Sequence, residues 1–135
     1  MPATPAVLDS HALLAYFRGE AIGVQVRDLL DKAAAADRPL HMTEVNYAEV
    51  KYMLLKKDGA DAWEKAADVL HSLPIEFHPV ERPLADNAAE FKARCKMSLA
   101  DAFAAALAKE KKAELVTGDP EFKEVEKEIK INWLK

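Results

Sequence analysis

Residues 97–108 read Met-Ser-Leu-Ala-Asp-Ala-Phe-Ala-Ala-Ala-Leu-Ala, a predicted helix that is apolar on every side. Asp101 is the only charged residue in this stretch. An ionised carboxylate in such surroundings costs several kcal/mol, roughly, unless a positive group meets it. The stretch therefore predicts an enclosed helix whose single acid needs a positive partner.

Three further acids occupy comparable positions elsewhere in the chain. Asp9 closes the apolar run 6–8, and Asp119 closes the run 115–117. Glu49 interrupts the apolar face of a third segment. Four carboxylates in such positions suggest one metal-binding cluster.

Short apolar runs alternate with helical periodicity along the chain, which is typical of a parallel sheet covered by helices. We predict one domain over residues 1–135, with a three-layer α/β/α architecture around a central, mainly parallel sheet of four to five strands. The predicted strands are 6–9, 40–43, 75–78, 114–117 and 129–133. The predicted helices are 10–17, 21–35, a third ending near Gly59, 60–73, 80–94 and 98–108.

Two of these elements carry more detail. Strand 75–78 alternates apolar and polar residues, which predicts a place at the edge of the sheet. The third helix is marked by apolar residues at helical spacing, namely Val45, Ala48, Tyr52 and Leu55. Val45, Tyr52 and Met53 lie four before, three after and four after Glu49, which places Glu49 on a largely apolar face.

The composition is that of a soluble globular protein, with 50% hydrophobic and 31% charged residues. No uncharged run exceeds eight residues, which argues against a transmembrane span or a signal-peptide core, so we expect a cytoplasmic protein without a membrane partner. Cys95 is the only cysteine, which agrees with a reducing compartment. A net charge of −4 argues against broad electrostatic gripping of nucleic acid but leaves room for a local basic rim.

Each acid also has a purely structural interpretation. Asp9 can end a strand and cap the next helix, and Asp119 followed by Pro120 is a good N-cap. Ser98 and Asp101 resemble a capping box. At the level of single residues these interpretations stay open.

Position along the chain favours the functional interpretation. In an open parallel sheet, ligands bind beyond the carboxyl ends of the strands, where neighbouring strands send their helices to opposite faces. Asp9 and Asp119 straddle that crevice if the first and fourth strands are adjacent, with Glu49 and Asp101 on flanking helices. Oxygen ligands without Cys or His indicate Mg²⁺ or Mn²⁺ rather than zinc, and a phosphodiester as the substrate.

Four short motifs stand in the order and at the separations of a known family. They are Val7-Leu8-Asp9-Ser10, Asn46-Tyr47-Ala48-Glu49-Val50, Leu99-Ala100-Asp101-Ala102-Phe103 and Val116-Thr117-Gly118-Asp119-Pro120-Glu121-Phe122. On these motifs the chain resembles PIN-domain ribonucleases, and more particularly the VapC-type toxins of bacterial and archaeal toxin–antitoxin pairs. The resemblance runs over essentially the whole chain and implies a PIN-like fold.

The resemblance also implies roles for single residues. The catalytic and metal-binding acids of the family fall on Asp9, Glu49, Asp101 and Asp119. Glu44 is an extra acid near the second, and Glu121 stands where the family often has an aspartate, so both are secondary candidates. Small polar residues often surround the family's site, although strand-end and capping roles explain them equally well. Here these residues are Ser10, Thr43, Asn46 and Thr117.

The activity implied is metal-dependent hydrolysis of RNA, in which an activated water attacks phosphorus and leaves a 5′ phosphate. An anionic substrate approaching acids needs a compensating basic rim, for which Lys51, Arg94 and Lys96 are candidates. The four histidines show no metal-ligand spacing, and only the one two residues after Asp9 lies near the crevice in sequence. They are His11, His41, His71 and His78.

A VapC-type protein further implies a homodimer and a small antitoxin that folds over the site. Two alternatives stay open, namely a PIN-like housekeeping or repair nuclease without an antitoxin and a non-catalytic PIN-like domain that binds RNA or protein. A phosphoacceptor signalling module, which also gathers acids at strand ends, ranks low. It needs an acceptor aspartate after the third strand, where this chain has Ile75-Glu76-Phe77-His78.

Overall fold

The computed structural model describes residues 4–135, so residues 1–3 of the predicted domain 1–135 lie outside the described part. The assignment of a single domain stays a prediction. The strands are β1 (Ala6–Leu8), β2 (Leu40–Thr43), β3 (Ile75–His78), β4 (Glu114–Thr117) and β5 (Ile131–Trp133). The helices are α1 (Ser10–Phe17), α2 (Gly23–Ala36), α3 (Glu44–Lys57), α4 (Ala60–Leu70), α5 (Arg82–Arg94) and α6 (Leu99–Lys111), and a 3-10 helix spans Pro120–Val125.

The five strands form one sheet in the order β3-β2-β1-β4-β5, and every pairing is parallel. The predicted mainly parallel sheet of four to five strands is confirmed. So are the adjacency of the first and fourth strands, with Leu8 opposite Val116, and the place of β3 at the edge.

Two hydrophobic cores lie on the two faces of the sheet, which confirms the three-layer α/β/α architecture. Leu8 and Val116 point into the core shared with α1–α4. Val7 and Leu115 point into the core shared with α5, α6 and the 3-10 helix. Strands covered on both faces must be apolar at successive positions, which explains the uninterrupted apolar runs of β1 and β4.

Helix α6 is the most enclosed helix of the described residues. All of its residues from 102 to 108 are buried, and it packs against α5, α3 and three strands. Ser98 caps it by accepting the backbone N–H of Asp101 at 3.1 Å. Its apolar side chains are thus packed against other elements of the fold. Among residues 4–135 no helix combines the length and apolarity needed to cross a bilayer.

The order in which strands are added to the sheet reverses at β1, because β2 and β3 lie on one side of it and β4 and β5 on the other. From β1 to β3 the connecting helices lie on one face of the sheet, and from β3 onward they lie on the other. This reversal opens a crevice beyond the carboxyl ends of β1 and β4. Asp9 and Asp119 follow these two strands, so the fold brings both to the place where ligands bind in such sheets.

Helix α3 differs most from its prediction. It forms where expected, but Tyr52 and Leu55 are 53% and 41% exposed, and the buried face carries Asn46, Val50 and Leu54. Asn46 tolerates burial because its polar atoms are hydrogen-bonded. The face of α3 that carries Tyr52 and Leu55 is therefore not the face that the fold buries.

Some element ends also differ from the predictions. The predicted helix 60–73 ends at Leu70, because Ser72 and Leu73 hydrogen-bond to carbonyls only three residues back. The first strand ends at Leu8 and the last begins at Ile131. The second and fifth helices begin two residues late, at Gly23 and Arg82, and α6 runs on to Lys111.

Candidate metal centre

Asp9 is fully buried at the carboxyl end of β1. One carboxylate oxygen accepts the backbone N–H of Ala12 at 2.8 Å, which makes Asp9 the N-cap of α1. The other oxygen accepts the hydroxyl of Thr117 on β4. The structural role of Asp9 as a cap and its position at the crevice are thus compatible.

Thr117 connects the two acids that follow the central strands. Its hydroxyl donates to Asp9 and accepts the backbone N–H of Asp119 at 3.0 Å. The Asp119 carboxylate accepts the backbone N–H of Glu121 at 2.9 Å and caps the 3-10 helix. This chain of hydrogen bonds fixes Asp119 relative to Asp9.

Asp101, Asp119 and Glu121 each offer one carboxylate oxygen, and these oxygens lie within 4.8 Å of one another. The group joins the first turn of α6 to the start of the 3-10 helix. Spacings of this order fit oxygens around one hard dication, and the all-oxygen donor set suits Mg²⁺ or Mn²⁺. Glu121, a secondary candidate by sequence, is therefore a full member of the group, whereas Asp9 and Glu49 are not members.

Burial and mutual repulsion disturb the protonation of two acids. Burial raises the pKa of Asp9 to about 7 against hydrogen bonds from Thr117 and Ala12 that lower it. Burial, followed by the charges of Asp9 and Asp119, also raises the pKa of Asp101 to about 7. Both groups are thus partly protonated near neutral pH without a cation, and a dication that binds there displaces protons.

Glu49 and Glu44 lie on different sides of α3. Glu49 is half-buried, and its charge raises the pKa of both Asp9 and Asp101, which places it beside the crevice. Glu44 is exposed and lines a surface pocket with Leu70 of α4, away from the other acids. These positions favour Glu49 over Glu44 as the acid of α3 that belongs to the candidate site.

The buried polar residues gather around the acids. Asn46 lies at their centre and donates its amide N–H to the Ser10 hydroxyl at 2.9 Å and to the Ala100 carbonyl at 3.1 Å. Its backbone N–H donates to the Thr43 hydroxyl at 3.0 Å. Because Ala100 precedes Asp101, this network positions the first turn of α6. Within residues 4–135 the buried polar residues are Asp9, Ser10, Thr43, Asn46 and Thr117.

The three candidate RNA-binding residues are not gathered at one place. Lys51 on α3 has its ammonium 5.3 Å from the Trp63 ring centroid. The Arg94 guanidinium, at the end of α5, is paired with Glu128 at 2.7 and 2.8 Å. Lys96 lies just beyond the same helix. Their contacts with RNA stay predictions. The Glu128 carboxylate partly neutralises the charge of Arg94 and so weakens its attraction for a phosphate.

Comparison with known proteins identifies the family and the fold of the chain. The sequence matches the model of the PIN domain family over residues 6–128. No curated protein sequence matches it significantly. The structure is similar to VapBC2 from Rickettsia felis bound to a promoter DNA fragment, with a TM-score of 0.75 and 15% identity over 96% of this chain and 98% of that one.

Two further solved structures are similar over most of their length. DNA-bound VapBC from Salmonella typhimurium has a TM-score of 0.73 and 15% identity, covering 98% of this chain and 100% of that one. VapC20 from Mycobacterium tuberculosis, described as a toxin that cleaves the sarcin–ricin loop, has a TM-score of 0.61 and 20% identity, covering 82% and 86%. At such identities the likeness establishes a shared fold.

Proposed function

The chain belongs to the PIN domain family, and on that basis we propose that it is a metal-dependent endoribonuclease, the toxin of a type II toxin–antitoxin pair. Its substrate is RNA, and its product carries a 5′ phosphate. The ion it uses is Mg²⁺ or Mn²⁺.

The observation that carries this proposal is the meeting of Asp101, Asp119 and Glu121 within 4.8 Å beside two acids of raised pKa. Like charges gathered in a partly buried pocket destabilise the fold unless a cation or protons neutralise them. An all-oxygen pocket of this kind is suited to Mg²⁺, which is used widely in phosphoryl transfer.

The roles of the residues follow from their positions. Asp101, Asp119 and Glu121 hold the ion, and Asp9 and Glu49 complete the acidic ring around it. A bound ion of this class lowers the pKa of a water and neutralises charge on the phosphate. Thr117 orients Asp9 and Asp119, and Asn46 with Ser10 and Thr43 positions the turn that carries Asp101.

The choice of RNA and of an antitoxin rests on the relatives. The similar structure from Mycobacterium tuberculosis is described as cleaving the sarcin–ricin loop, which is an RNA. The similar structures from Rickettsia felis and Salmonella typhimurium are VapBC structures, and another similar VapBC structure is described as a member of a family of toxin–antitoxin systems. The exposed Tyr52 and Leu55 of α3 give a partner an apolar surface to cover. We propose that the protein forms a homodimer, binds a small antitoxin and acts in the cytoplasm.

The test compares the wild-type protein with Asp9→Asn and Asp101→Asn on structured and single-stranded RNAs, with Mg²⁺, Mn²⁺ or a chelator. We expect cleavage that requires metal and falls by about 1,000-fold or more in both variants, because each loses charge that the ion needs. Circular dichroism verifies that the variants fold.

Glu44→Gln is the matched control, because it removes an acid of α3 that faces away from the crevice. It should cleave like the wild type. Undiminished cleavage by either aspartate variant, or cleavage in chelator, would contradict the proposal. Expression in bacteria tests the toxin role: the wild type should arrest growth, Asp101→Asn should not, and normal growth with an active wild-type enzyme would favour a housekeeping nuclease.

A further inference from the structure

A second group of ionisable side chains lies at the edge of the sheet, away from the crevice. It consists of His41 on β2 and Glu76 and His78 on β3, here called the histidine cluster. The parallel register sets His41 opposite Glu76 and Thr43 opposite His78. Since alternate residues of a strand share a face, all three side chains of the cluster lie on the same face of the sheet.

The three facing atoms form a compact triangle. His41 Nδ1 lies 2.9 Å from His78 Nε2 and 3.4 Å from a Glu76 carboxylate oxygen, and that oxygen lies 3.8 Å from His78 Nε2. Ligand atoms about 2.0–2.2 Å from a tetrahedral zinc ion lie roughly 3.3–3.6 Å from one another. The triangle therefore matches one face of a tetrahedron with only small side-chain adjustments.

The triangle has more lone pairs than protons. If both imidazoles are neutral, one N–H can lie between His41 Nδ1 and His78 Nε2, and the carboxylate oxygen then faces the pair without a short hydrogen bond. A cation at the centre would accept all three lone pairs at once. The two protons would then lie on His41 Nε2 and His78 Nδ1, away from the ion.

We propose that the histidine cluster is a binding site for a divalent transition metal of the zinc class, with His41 Nδ1, His78 Nε2 and the Glu76 carboxylate as ligands and a water as the fourth. Two imidazoles and one carboxylate suit zinc much better than Mg²⁺, which prefers oxygen ligands. The site does not depend on the proposed nuclease activity, because it shares no residue with the acids at the crevice, here called the acidic pocket, which are Asp101, Asp119 and Glu121 with Asp9 and Glu49 beside them.

The surroundings are compatible with a bound cation. The imidazoles are largely enclosed, with side chains 13% and 18% exposed, whereas Glu76 at 56% leaves a route from solvent. Burial, and then the charge of Lys111, lowers the pKa of both histidines, which favours the neutral form that binds metal. Lys111 repels a cation, but Glu81 and Glu110 line the same cavity of about 280 Å³ beside His78.

A metal at this place would tie β3 to β2. Among the described strands β3 pairs only with β2, so a bound ion would cross-link an edge strand to the interior of the sheet. Binding to the native state alone stabilises it, so zinc should raise the unfolding temperature of the metal-free protein.

The test titrates Co²⁺ into the chelator-treated protein and follows visible absorption, which is intense for tetrahedral and weak for octahedral cobalt. We expect a tetrahedral band in the wild type that Zn²⁺ displaces and Mg²⁺ does not. In His41→Asn and His78→Asn the affinity for Co²⁺ should fall by at least 10- to 100-fold, roughly. Losses of this size follow removal of a residue that only supports a metal ligand, and these variants remove a ligand itself.

Two controls separate this site from the others. His71→Asn changes an exposed histidine outside the cluster, and Asp101→Asn changes the acidic pocket, and both should keep the band. A band retained by both cluster variants, or abolished by Asp101→Asn, would overturn the proposal. RNA cleavage in Mg²⁺ should persist in His41→Asn. A failure of the zinc proposal would therefore leave the nuclease proposal intact, and a failure of the nuclease proposal would leave the zinc proposal intact.

A measurement on the wild type covers the case of a misfolded variant. Imidazole NMR signals are followed as Zn²⁺ is added. The signals of His41 and His78 should shift together at one equivalent while those of His11 and His71 do not. Uniform shifts, or none, would refute the site.

Discussion

The acidic pocket and the histidine cluster respond to the same physical cause in opposite ways. Burial disfavours the charged form of any side chain, so it raises the pKa of Asp9 and Asp101 and lowers the pKa of His41 and His78. For an aspartate the favoured neutral form carries a proton and binds metal poorly. For a histidine the neutral form is the ligand itself. A metal must therefore compete with protons at the crevice but not at the edge.

The two regions also differ in how they are held. The acidic pocket lies between central strands and is fixed by hydrogen bonds from Thr117, Ala12 and the Asn46 network. The histidine cluster depends on the register of one strand pair. We expect a pre-organised site at the centre and a site organised by its own ion at the edge.

The largest expected effect separates the two sites by function. Asp119→Asn should lower Mg²⁺-dependent RNA cleavage by about 1,000-fold or more, because it removes a carboxylate that holds the ion. It should leave Co²⁺ binding at the histidine cluster unchanged. His78→Asn should weaken Co²⁺ binding at the histidine cluster and leave RNA cleavage unchanged. Cleavage rates and cobalt spectra of both variants check this, and loss of both properties in either variant would show that the sites are coupled.

The second effect is on stability against pH in the absence of metal. The folded pKa of Asp9 is raised from 3.8 to about 7, so between these values the native state binds a proton that the unfolded state has released. Its stabilising contribution is therefore present at low pH and is lost as pH rises toward 7. From pH 5 to pH 8 we expect a loss of about 2–3 kcal/mol from this residue.

The histidines work in the other direction. Their pKa is lowered from 6.5, so the unfolded state binds more protons below that value and stability rises as pH approaches it. Urea unfolding in chelator at pH 5 and pH 8 measures the balance. Asp9→Asn should remove about half of the downward slope, because Asp101, whose pKa is also raised to about 7, keeps the rest, and it should leave the upward slope unchanged. An unchanged downward slope in Asp9→Asn would rule out Asp9 as its source.

A third effect concerns the support around the acids. Asn46→Ala removes donors to Ser10 and Ala100 and leaves buried acceptors unpaired, which we expect to cost about 1–3 kcal/mol of unfolding free energy. Asn87→Ala is the matched control, because Asn87 is exposed on α5, and it should change stability by less than about 0.5 kcal/mol. Denaturant unfolding compares them, and equal losses would deny Asn46 a supporting role.

The smallest effect tests the added member of the acidic group. Glu121→Gln should weaken Mg²⁺ binding by about tenfold, since its exposed carboxylate contributes less than Asp101 or Asp119. Calorimetric titration with Mg²⁺ measures this, with Glu44→Gln as the control. An affinity equal to that of the control would place Glu121 outside the set of ligands.

The sequence predicted the elements and the crevice because these depend on local patterns. β2, β3, β4 and α1 have the predicted bounds, since short apolar runs and capping residues mark them. The face of α3 was wrong because Asn46 is buried through long-range hydrogen bonds that no local pattern reveals.

The histidine cluster could not be found from spacing for a similar reason. His41 and His78 are 37 positions apart, and only the register of β2 with β3 makes them neighbours. A signal was present in the alternation of Glu76 and His78 on one side of an edge strand, but its partner strand had to be known first. The roles of the site residues themselves stay predictions until the variants are measured.

The bond from Thr117 to Asp9 spans 108 positions of the chain, and this has a consequence for synthesis. A growing polypeptide leaves the ribosome from its amino end, so Asp9 emerges long before β4 exists to pair with β1. The acidic pocket cannot assemble on a partial chain, because its members at 101, 119 and 121 are translated late. The metal-binding acids therefore come together only after nearly the whole chain has been translated, so the proposed cleavage cannot begin on a partly made chain.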